Sequence, residues 1–189
     1  LGVLLGLIAG FFRGFAESAI MGIADLQLSV PRVLLLIAVA AMPATQVRTF
    51  HLNAPLTRVF PLFTAEGERA WAPGWEPRIL SGSKERGSAF ITTGHNGATV
   101  TWIVTDFRPS EGRVSYARLV QDSNIGIVDV VCTEPAGGGT DISVRYTLTA
   151  VSESGRHFVA QFLSEQHYTT MIDEWRVATS KALGLPVAP

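Results

Sequence analysis

The sequence predicts an α+β fold, in which a curved antiparallel sheet of about six strands lies against a long C-terminal helix. From residue 87 onward, hydrophobic and polar residues alternate in short segments, as they do in strands with one buried face. Short, turn-rich connections separate these segments, and connections of that length join antiparallel neighbours. The C-terminal part instead repeats hydrophobic side chains at helical spacing.

Length, charge and cysteine content limit the classes of protein that fit. A chain of 189 residues accommodates one ordinary domain and an appendage. Its formal charge of -1, without a basic stripe, argues against binding of nucleic acid. Cys132 is the only cysteine, so neither an internal disulfide nor a thiolate zinc cluster can form. We expect a reducing, cytoplasmic location for residues 46–189, and neither a metal nor a cofactor.

Residues 1–43 differ in composition from the rest of the chain. Only four side chains before Pro43 are charged: Arg13, Glu17, Asp25 and Arg32. The two apolar runs, 1–12 and 33–42, are each shorter than the ~20 residues of a spanning helix. A signal peptide would have its hydrophobic region nearer the start. We therefore expect an appendage, not an independent domain.

Three stretches of this segment resemble the inner-membrane permease subunit of dipeptide and oligopeptide ABC importers: Leu1 to Gly14, Ile20 to Asp25 and Ser29 to Leu36. The later membrane spans of such subunits, and the loop that engages their ATPase, have no counterpart, so transport is not implied. We interpret residues 1–42 as a remnant, a fusion, a mis-joined reading frame or a truncated span. A membrane anchor is the alternative, and membrane contact is expected only through this segment.

The domain begins with a predicted strand at residues 46–52 and a short helix through residues 57–63. Residues 70–77 combine prolines and glycine with Trp71 and Trp75. Such a segment has too many helix breakers for a regular element and too many aromatic rings for a solvated linker. We expect an ordered loop whose rings are buried.

Five further strands are predicted at residues 88–93, 99–105, 113–121, 125–133 and 141–150. The last strand has the clearest faces, because Ile142, Val144, Tyr146 and Leu148 alternate with polar residues. One continuous helix is predicted from the N-cap Ser152 to Leu183, before Gly184. Its apolar stripe comprises Phe158, Phe162, Tyr168, Ile172, Trp175 and Leu183.

A twisted sheet around one helix leaves its concave face partly open, and large side chains can then line a cavity. Strand alternation and helical spacing place four aromatic residues toward that interior: Trp102, Tyr116, Tyr146 and Trp175. Each of them alone also fits an ordinary core, but together they favour a cavity. Their polar atoms need partners when buried, so the cavity would suit an apolar ligand with one or two oxygens.

Five motifs resemble those of bacterial SRPBCC proteins, the START/polyketide-cyclase-like superfamily: Phe60 to Thr64, Glu66 to Arg69, Trp71 to Pro77, Val114 to Arg118 and Tyr146 to Ala150. The resemblance covers nearly all of residues 46–183. It implies a helix-grip fold for residues 46–189, in which the sheet grips the terminal helix. It also implies binding of hydrophobic small molecules, with catalysis in some branches.

Nine residues are the candidate ligand contacts: Trp71, Trp75, Trp102, Tyr116, Arg118, Tyr146, Phe158, Phe162 and Trp175. Asp129 is a candidate catalytic residue, because alternation with Ile127 and Val131 places it inward, with Arg118 as its partner. A structural ion pair explains the same pattern. Cys132 is interpreted as a packed or surface thiol.

His157, at the start of the predicted helix, is the second candidate catalytic residue, near the mouth of the pocket. The other histidines, His51, His95 and His167, are expected in surface or structural roles. Glu66, Glu68 and Arg69 are expected to fix a polar ligand group or to pair with one another.

Three hypotheses follow for function. The first is a carrier of a small apolar molecule. The second is a cyclase-like or aromatase-like enzyme, or a metal-free hydrolase, that uses the same cavity. The third is a membrane component, which rests on residues 1–42 alone.

Overall fold

A computed structural model describes residues 42–82, 84–94 and 97–186. Residues 1–41, on which the permease resemblance depends, lie outside the described residues, as does His95. Within the described ranges, none of the helices combines the length and the apolar character needed to cross a bilayer.

Seven strands form one antiparallel sheet, and this confirms the predicted α+β class. The strands are β1 (Ala44–Leu52), β2 (Arg78–Ser81), β3 (Ala89–Thr93), β4 (Thr99–Arg108), β5 (Arg113–Val120), β6 (Asn124–Thr133) and β7 (Thr140–Ala150). Their order is β1-β7-β6-β5-β4-β3-β2, so the first strand pairs with the last. The strand that the sequence did not predict is β2, a short edge strand whose residues are all exposed.

In the part of the chain that the structure describes, three α-helices accompany the sheet: α1 (Leu56–Val59), α2 (Glu153–Phe162) and α3 (Glu165–Ala182). A 3-10 turn at Phe60–Phe63 continues α1, which confirms the short helix after the first strand. Two further 3-10 turns occur at Gly67–Ala70 and Pro109–Glu111.

The prediction of one continuous C-terminal helix is wrong, because the chain breaks between α2 and α3. Ser164 has an extended backbone and caps α3, its Oγ accepting a hydrogen bond from the His167 N–H at 3.4 Å. Gln46 Nε2 donates to the Leu163 carbonyl oxygen at 3.1 Å, so β1 satisfies one acceptor that the break exposes. A good N-cap inside a polar stretch therefore starts a new helix.

The hydrophobic core lies between the concave face of the sheet and the two C-terminal helices. Ile142, Val144 and Leu148 of β7 are fully buried, as alternation predicted. The hydroxyl of Tyr168 on α3 donates to the Val144 carbonyl oxygen at 3.0 Å and fastens the helix to the sheet. Ile172, one turn further along α3, is also fully buried.

Helix α2 approaches the sheet very closely at its first turn. A Cβ atom at Gly155 would lie only 1.8 Å from the Ser123 carbonyl oxygen, which is backbone and cannot easily move. Glycine at this position lets the helix rest directly on the turn between β5 and β6. The close approach places Phe158 over the inner face of the sheet.

Candidate functional site

The inner face of β3, β4 and β5 carries one group of aromatic side chains. The Trp102 ring stacks on Phe90 with centroids 5.9 Å apart, and Tyr116 meets both rings edge-on at 6.2 Å and 6.0 Å. Trp75 closes this group, 5.7 Å from Trp102. Its indole N–H donates to the Ala65 carbonyl oxygen at 2.7 Å, so the loop holds this ring in a fixed place.

A second aromatic group lies where α2 and α3 cross β7. The Tyr146 ring meets Phe162 at 5.3 Å and Tyr168 at 6.1 Å, both edge-on. Phe158 stacks on Phe162 at 5.4 Å. Phe158 and Phe162 are only partly buried, so their faces are not wholly covered by protein.

Arg118 connects the two aromatic groups. It lies on the inner face of β5, nine-tenths buried, with its guanidinium carbon 5.8 Å from the Trp102 ring centroid and 5.7 Å from that of Phe158. Such cation–π contacts stabilise a desolvated positive charge. Its Nη1 donates to Oδ1 of Asn124, which is fully buried and in turn donates to Ser123 Oγ at 2.8 Å. Among residues 42–82, 84–94 and 97–186, no carboxylate forms an ion pair with Arg118.

Glu68, on the 3-10 turn before the tryptophan loop, supplies an acid to the same interior. Burial raises the pKa of its carboxyl from 4.5 to about 8. The residue as a whole is only partly buried, but its pKa depends on the carboxyl group, which is enclosed. Within the described part of the chain, no hydrogen bond or ion pair joins the Glu68 carboxyl group to another residue, although its backbone groups are hydrogen-bonded. Near neutral pH this acid is therefore mostly protonated and can give or accept a proton.

Two tyrosines lie close enough to Glu68 to interact electrostatically with its carboxylate. Burial raises the pKa of both Tyr116 and Tyr146, and the Glu68 carboxylate raises each further. The Tyr116 hydroxyl donates to the Phe63 carbonyl oxygen at 2.9 Å. The Tyr146 hydroxyl has no hydrogen-bond partner among the described residues, and Arg118 acts on it in the opposite sense, lowering its pKa. The phenol of Tyr146 is thus a free polar group between an acid and a cation.

Trp71 and Trp175 form the remaining part of the predicted site. Their ring centroids are 5.0 Å apart, and Trp71 also contacts Phe63 at 5.9 Å. An open groove of about 820 Å³ runs between the tryptophan loop and the outer side of α3, and Trp71 forms part of its wall. The nine predicted ligand contacts therefore form two aromatic groups joined by Arg118, with Trp71 and Trp175 beside this separate groove.

The two candidate catalytic residues lie away from this interior. Asp129 faces the outside of the sheet, where Ser115 Oγ donates to its Oδ1 at 2.7 Å, so its predicted inward orientation is wrong. Arg118 points to the opposite face and cannot be its partner. The His157 side chain is 83% exposed and lies 3.8 Å from the Glu153 carboxylate, and its place at a pocket mouth stays a prediction.

The mutual pairing considered for Glu66, Glu68 and Arg69 does not form. Glu66 lies 3.5 Å from Lys84. Arg69 lies 3.8 Å from Glu76 and donates to the Pro77 carbonyl oxygen at 3.0 Å. Glu66 and Arg69 therefore pair with other residues, and neither of them pairs with Glu68 in the interior.

Two of the remaining polar side chains are in structural positions. His51 pairs with Asp141 at 2.7 Å on the outer surface. Cys132 is buried, and burial raises the pKa of its thiol to about 12. Of the two interpretations of Cys132, a packed thiol and a surface thiol, the structure therefore supports the packed, unreactive one.

Phe90 and Asn124 belong to the site although the sequence did not single them out. Phe90 could have been found, because it alternates with Thr92 on a predicted strand whose inner face holds both residues. Asn124 looked like a turn residue, since β6 begins one residue earlier than the pattern of hydrophobic residues indicates. Only the paired strands show that its amide faces Arg118.

Comparison with known proteins gives both a family and a fold. The model of a family described as "Polyketide cyclase / dehydrase and lipid transport" matches residues 43–178. No curated protein matches the chain, and the permease resemblance of residues 1–42 is not borne out.

Several solved structures share the fold at low sequence identity. Norcoclaurine synthase from Thalictrum flavum is 11% identical, with a TM-score of 0.58 over 77% of this chain and 88% of its own. Major latex-like protein 151 from Panax ginseng is 7% identical, with a TM-score of 0.54 over 75% and 95%. A putative uncharacterised protein from Rhizobium leguminosarum is 16% identical, with a TM-score of 0.52 over 75% and 97%. The expected helix-grip fold is confirmed.

Proposed function

Because the chain belongs to the polyketide cyclase/dehydrase and lipid transport family, we propose that it binds a small, mostly apolar molecule between the sheet and the helices α2 and α3. One observation carries the proposal: polar groups that lack protein partners lie among aromatic walls. The Glu68 carboxyl and the Tyr146 hydroxyl are such groups among the described residues. Desolvated polar groups are normally hydrogen-bonded, and a bound ligand would supply the missing partners.

The aromatic walls define the kind of molecule that fits. Flat rings of Trp102, Phe158 and Phe162 offer apolar faces, and each ring is fixed by a neighbour. A planar or polycyclic apolar skeleton can stack on such faces with little loss of side-chain entropy. A few oxygens on that skeleton would meet Tyr146 and Glu68.

Titration with the neutral fluorophore N-phenylnaphthylamine tests this proposal. We expect one molecule to bind per chain, with an increase in emission. Phe162→Ala removes a wall of the interior and is expected to weaken binding about tenfold, the equivalent of ~1.4 kcal/mol. Val177→Ala, on the wall of the open groove, should leave affinity unchanged. The reverse pattern, or no binding at all, would contradict the proposal.

A second candidate function is catalysis of the cyclase or aromatase type, for which Glu68 is the specific observation. An acid with a pKa of about 8 beside two phenols is suited to moving a proton near neutral pH. Mass spectrometry of the small molecules released from wild type and from Glu68→Gln separates the two functions. A carrier releases the same molecule from both, whereas a blocked enzyme retains a precursor that the wild type has converted.

A further inference from the structure

The charge inside the site is unbalanced. Arg118 is nine-tenths buried, and desolvation lowers its pKa from the high value that is ordinary for a guanidinium group. Guanidinium groups keep their charge in proteins under ordinary conditions. A desolvated charge is normally paired, yet none of the carboxylates in the described ranges pairs with Arg118.

The contacts that Arg118 does make leave part of its hydrogen-bonding capacity unused. Five N–H donors are available on a guanidinium, and the structure gives them one acceptor, Asn124 Oδ1, within the described residues. The rings of Trp102 and Phe158 hold the planar group between the two aromatic groups. The position and orientation of the Arg118 side chain are therefore fixed before a ligand binds. The remaining N–H donors of its guanidinium group need oxygen acceptors.

Glu68 does not cancel this positive charge near neutral pH. Its carboxyl is mostly protonated there, and no ion pair joins it to Arg118. Among the described residues, the other ionisable groups that face the interior are the phenols of Tyr116, Tyr146 and Tyr168 and the thiol of Cys132, and burial raises the pKa of each. These groups stay neutral as well, so the site has a net charge of about +1.

We propose that the ligand is an amphipathic acid, whose anionic oxygen atoms bind the Arg118 guanidinium while its apolar body stacks on Trp102, Phe158 and Phe162. The inference rests on the proposed function and adds the class of ligand. A carboxylate or sulfonate matches the planar fork with two parallel hydrogen bonds. A neutral molecule of the same shape leaves the guanidinium unpaired.

Two fluorophores of matched skeleton test the proposal at about pH 6, where Glu68 is protonated. Anilinonaphthalene sulfonate carries an anionic group, and N-phenylnaphthylamine has the same ring system without it. We expect wild type to bind the sulfonate more tightly. Arg118→Met should reduce this preference by about thirtyfold or more, because it removes the buried partner of the anion. Its affinity for the neutral probe should fall much less than its affinity for the sulfonate.

Arg145→Met is the matched control, because Arg145 lies exposed on the outer face of β7 and the substitution makes the same change in charge. It should leave the preference unchanged. Arg118→Lys keeps the charge but lacks the planar fork, so part of the preference should remain. This variant also decides the outcome if Arg118→Met fails to bind either probe through misfolding.

The outcomes separate this inference from the proposed function. If the neutral probe binds but the preference for sulfonate is absent, or survives both Arg118 substitutions, the inference is overturned while apolar binding stands. If neither probe binds wild type, the proposed function is overturned together with the inference.

Discussion

Replacing Glu68 with glutamine is expected to stabilise the protein at about pH 8 and to have little effect at about pH 5. The folded-state pKa of about 8 lies above the value of 4.5 expected when the chain is unfolded. Folding therefore favours the protonated acid. The contribution of Glu68 to the stability of the wild type is present in full below pH 4.5 and is lost as the pH rises toward 8.

The expected difference is large because each pKa unit corresponds to about 1.4 kcal/mol. Between about pH 5 and about pH 8, the wild type should lose roughly 3 kcal/mol of its free energy of unfolding through this one group. Glutamine resembles the protonated acid in shape and charge, so the variant should lack this part of the pH dependence. Urea denaturation followed by circular dichroism at several pH values measures it.

Glu66→Gln provides the control for this prediction. Glu66 lies two residues away on the exposed side of the same turn and pairs with Lys84 at 3.5 Å. Exposed ion pairs contribute roughly 0–1 kcal/mol, so this variant should retain the pH dependence of the wild type. Equal pH dependence in wild type and Glu68→Gln would mean that the Glu68 carboxyl is solvated. Such a result would remove the acid from the site.

Replacing Trp71 with alanine is expected to lower the free energy of unfolding by about 3–5 kcal/mol. The ring is buried between Phe63 and Trp175, and its Nε1–H donates to the Leu62 carbonyl oxygen at 2.7 Å. Its loss would leave a cavity and would expose the interior to water.

Trp71→Phe separates the packing of the ring from its hydrogen bond. Phenylalanine keeps an aromatic ring at the site but leaves the Leu62 carbonyl without its donor, which should reduce stability by about 1–3 kcal/mol. The alanine variant should be clearly less stable than the phenylalanine variant when both are denatured in urea. Similar stabilities would show that the hydrogen bond, and not the ring, holds the tryptophan loop against the core.

The sequence predicts the sheet well wherever one face of a strand is apolar and the other is polar. In β7, Ile142, Val144 and Leu148 alternate with polar residues, and the structure buries all three. The edge strand β2 has no such signal. Its four residues, Arg78 to Ser81, are all exposed, so burial imposes no pattern on them.

Alternation fails for Asp129 because β6 has apolar residues on both faces. Ile125 and Ile127 are exposed on the outer face, and Ile125 lies next to exposed Leu119 on the neighbouring strand β5. Val128 and Val130 occupy the inner face of the same strand. Hydrophobicity alone therefore does not fix the phase of this strand, and the strand pairing decides that Asp129 faces outward.

The acid of the site could not be assigned from local sequence. Glu66 and Glu68 occur in the same short polar stretch, and only the 3-10 turn at Gly67–Ala70 directs Glu68 inward and leaves Glu66 exposed.

The break between α2 and α3 could not be assigned from local sequence either. Ser164 is an ordinary polar residue in the sequence, but in the structure it caps α3, and Gln46 of β1 binds the neighbouring Leu163 carbonyl oxygen.

The crystal structure of the protein with N-phenylnaphthylamine tests the central claim most directly. We expect the probe to lie between the sheet and the helices α2 and α3, with its rings in contact with Trp102, Tyr146 and Phe162. A probe bound only in the open groove beside Trp71 and α3, with the interior closed by side chains, would contradict the account.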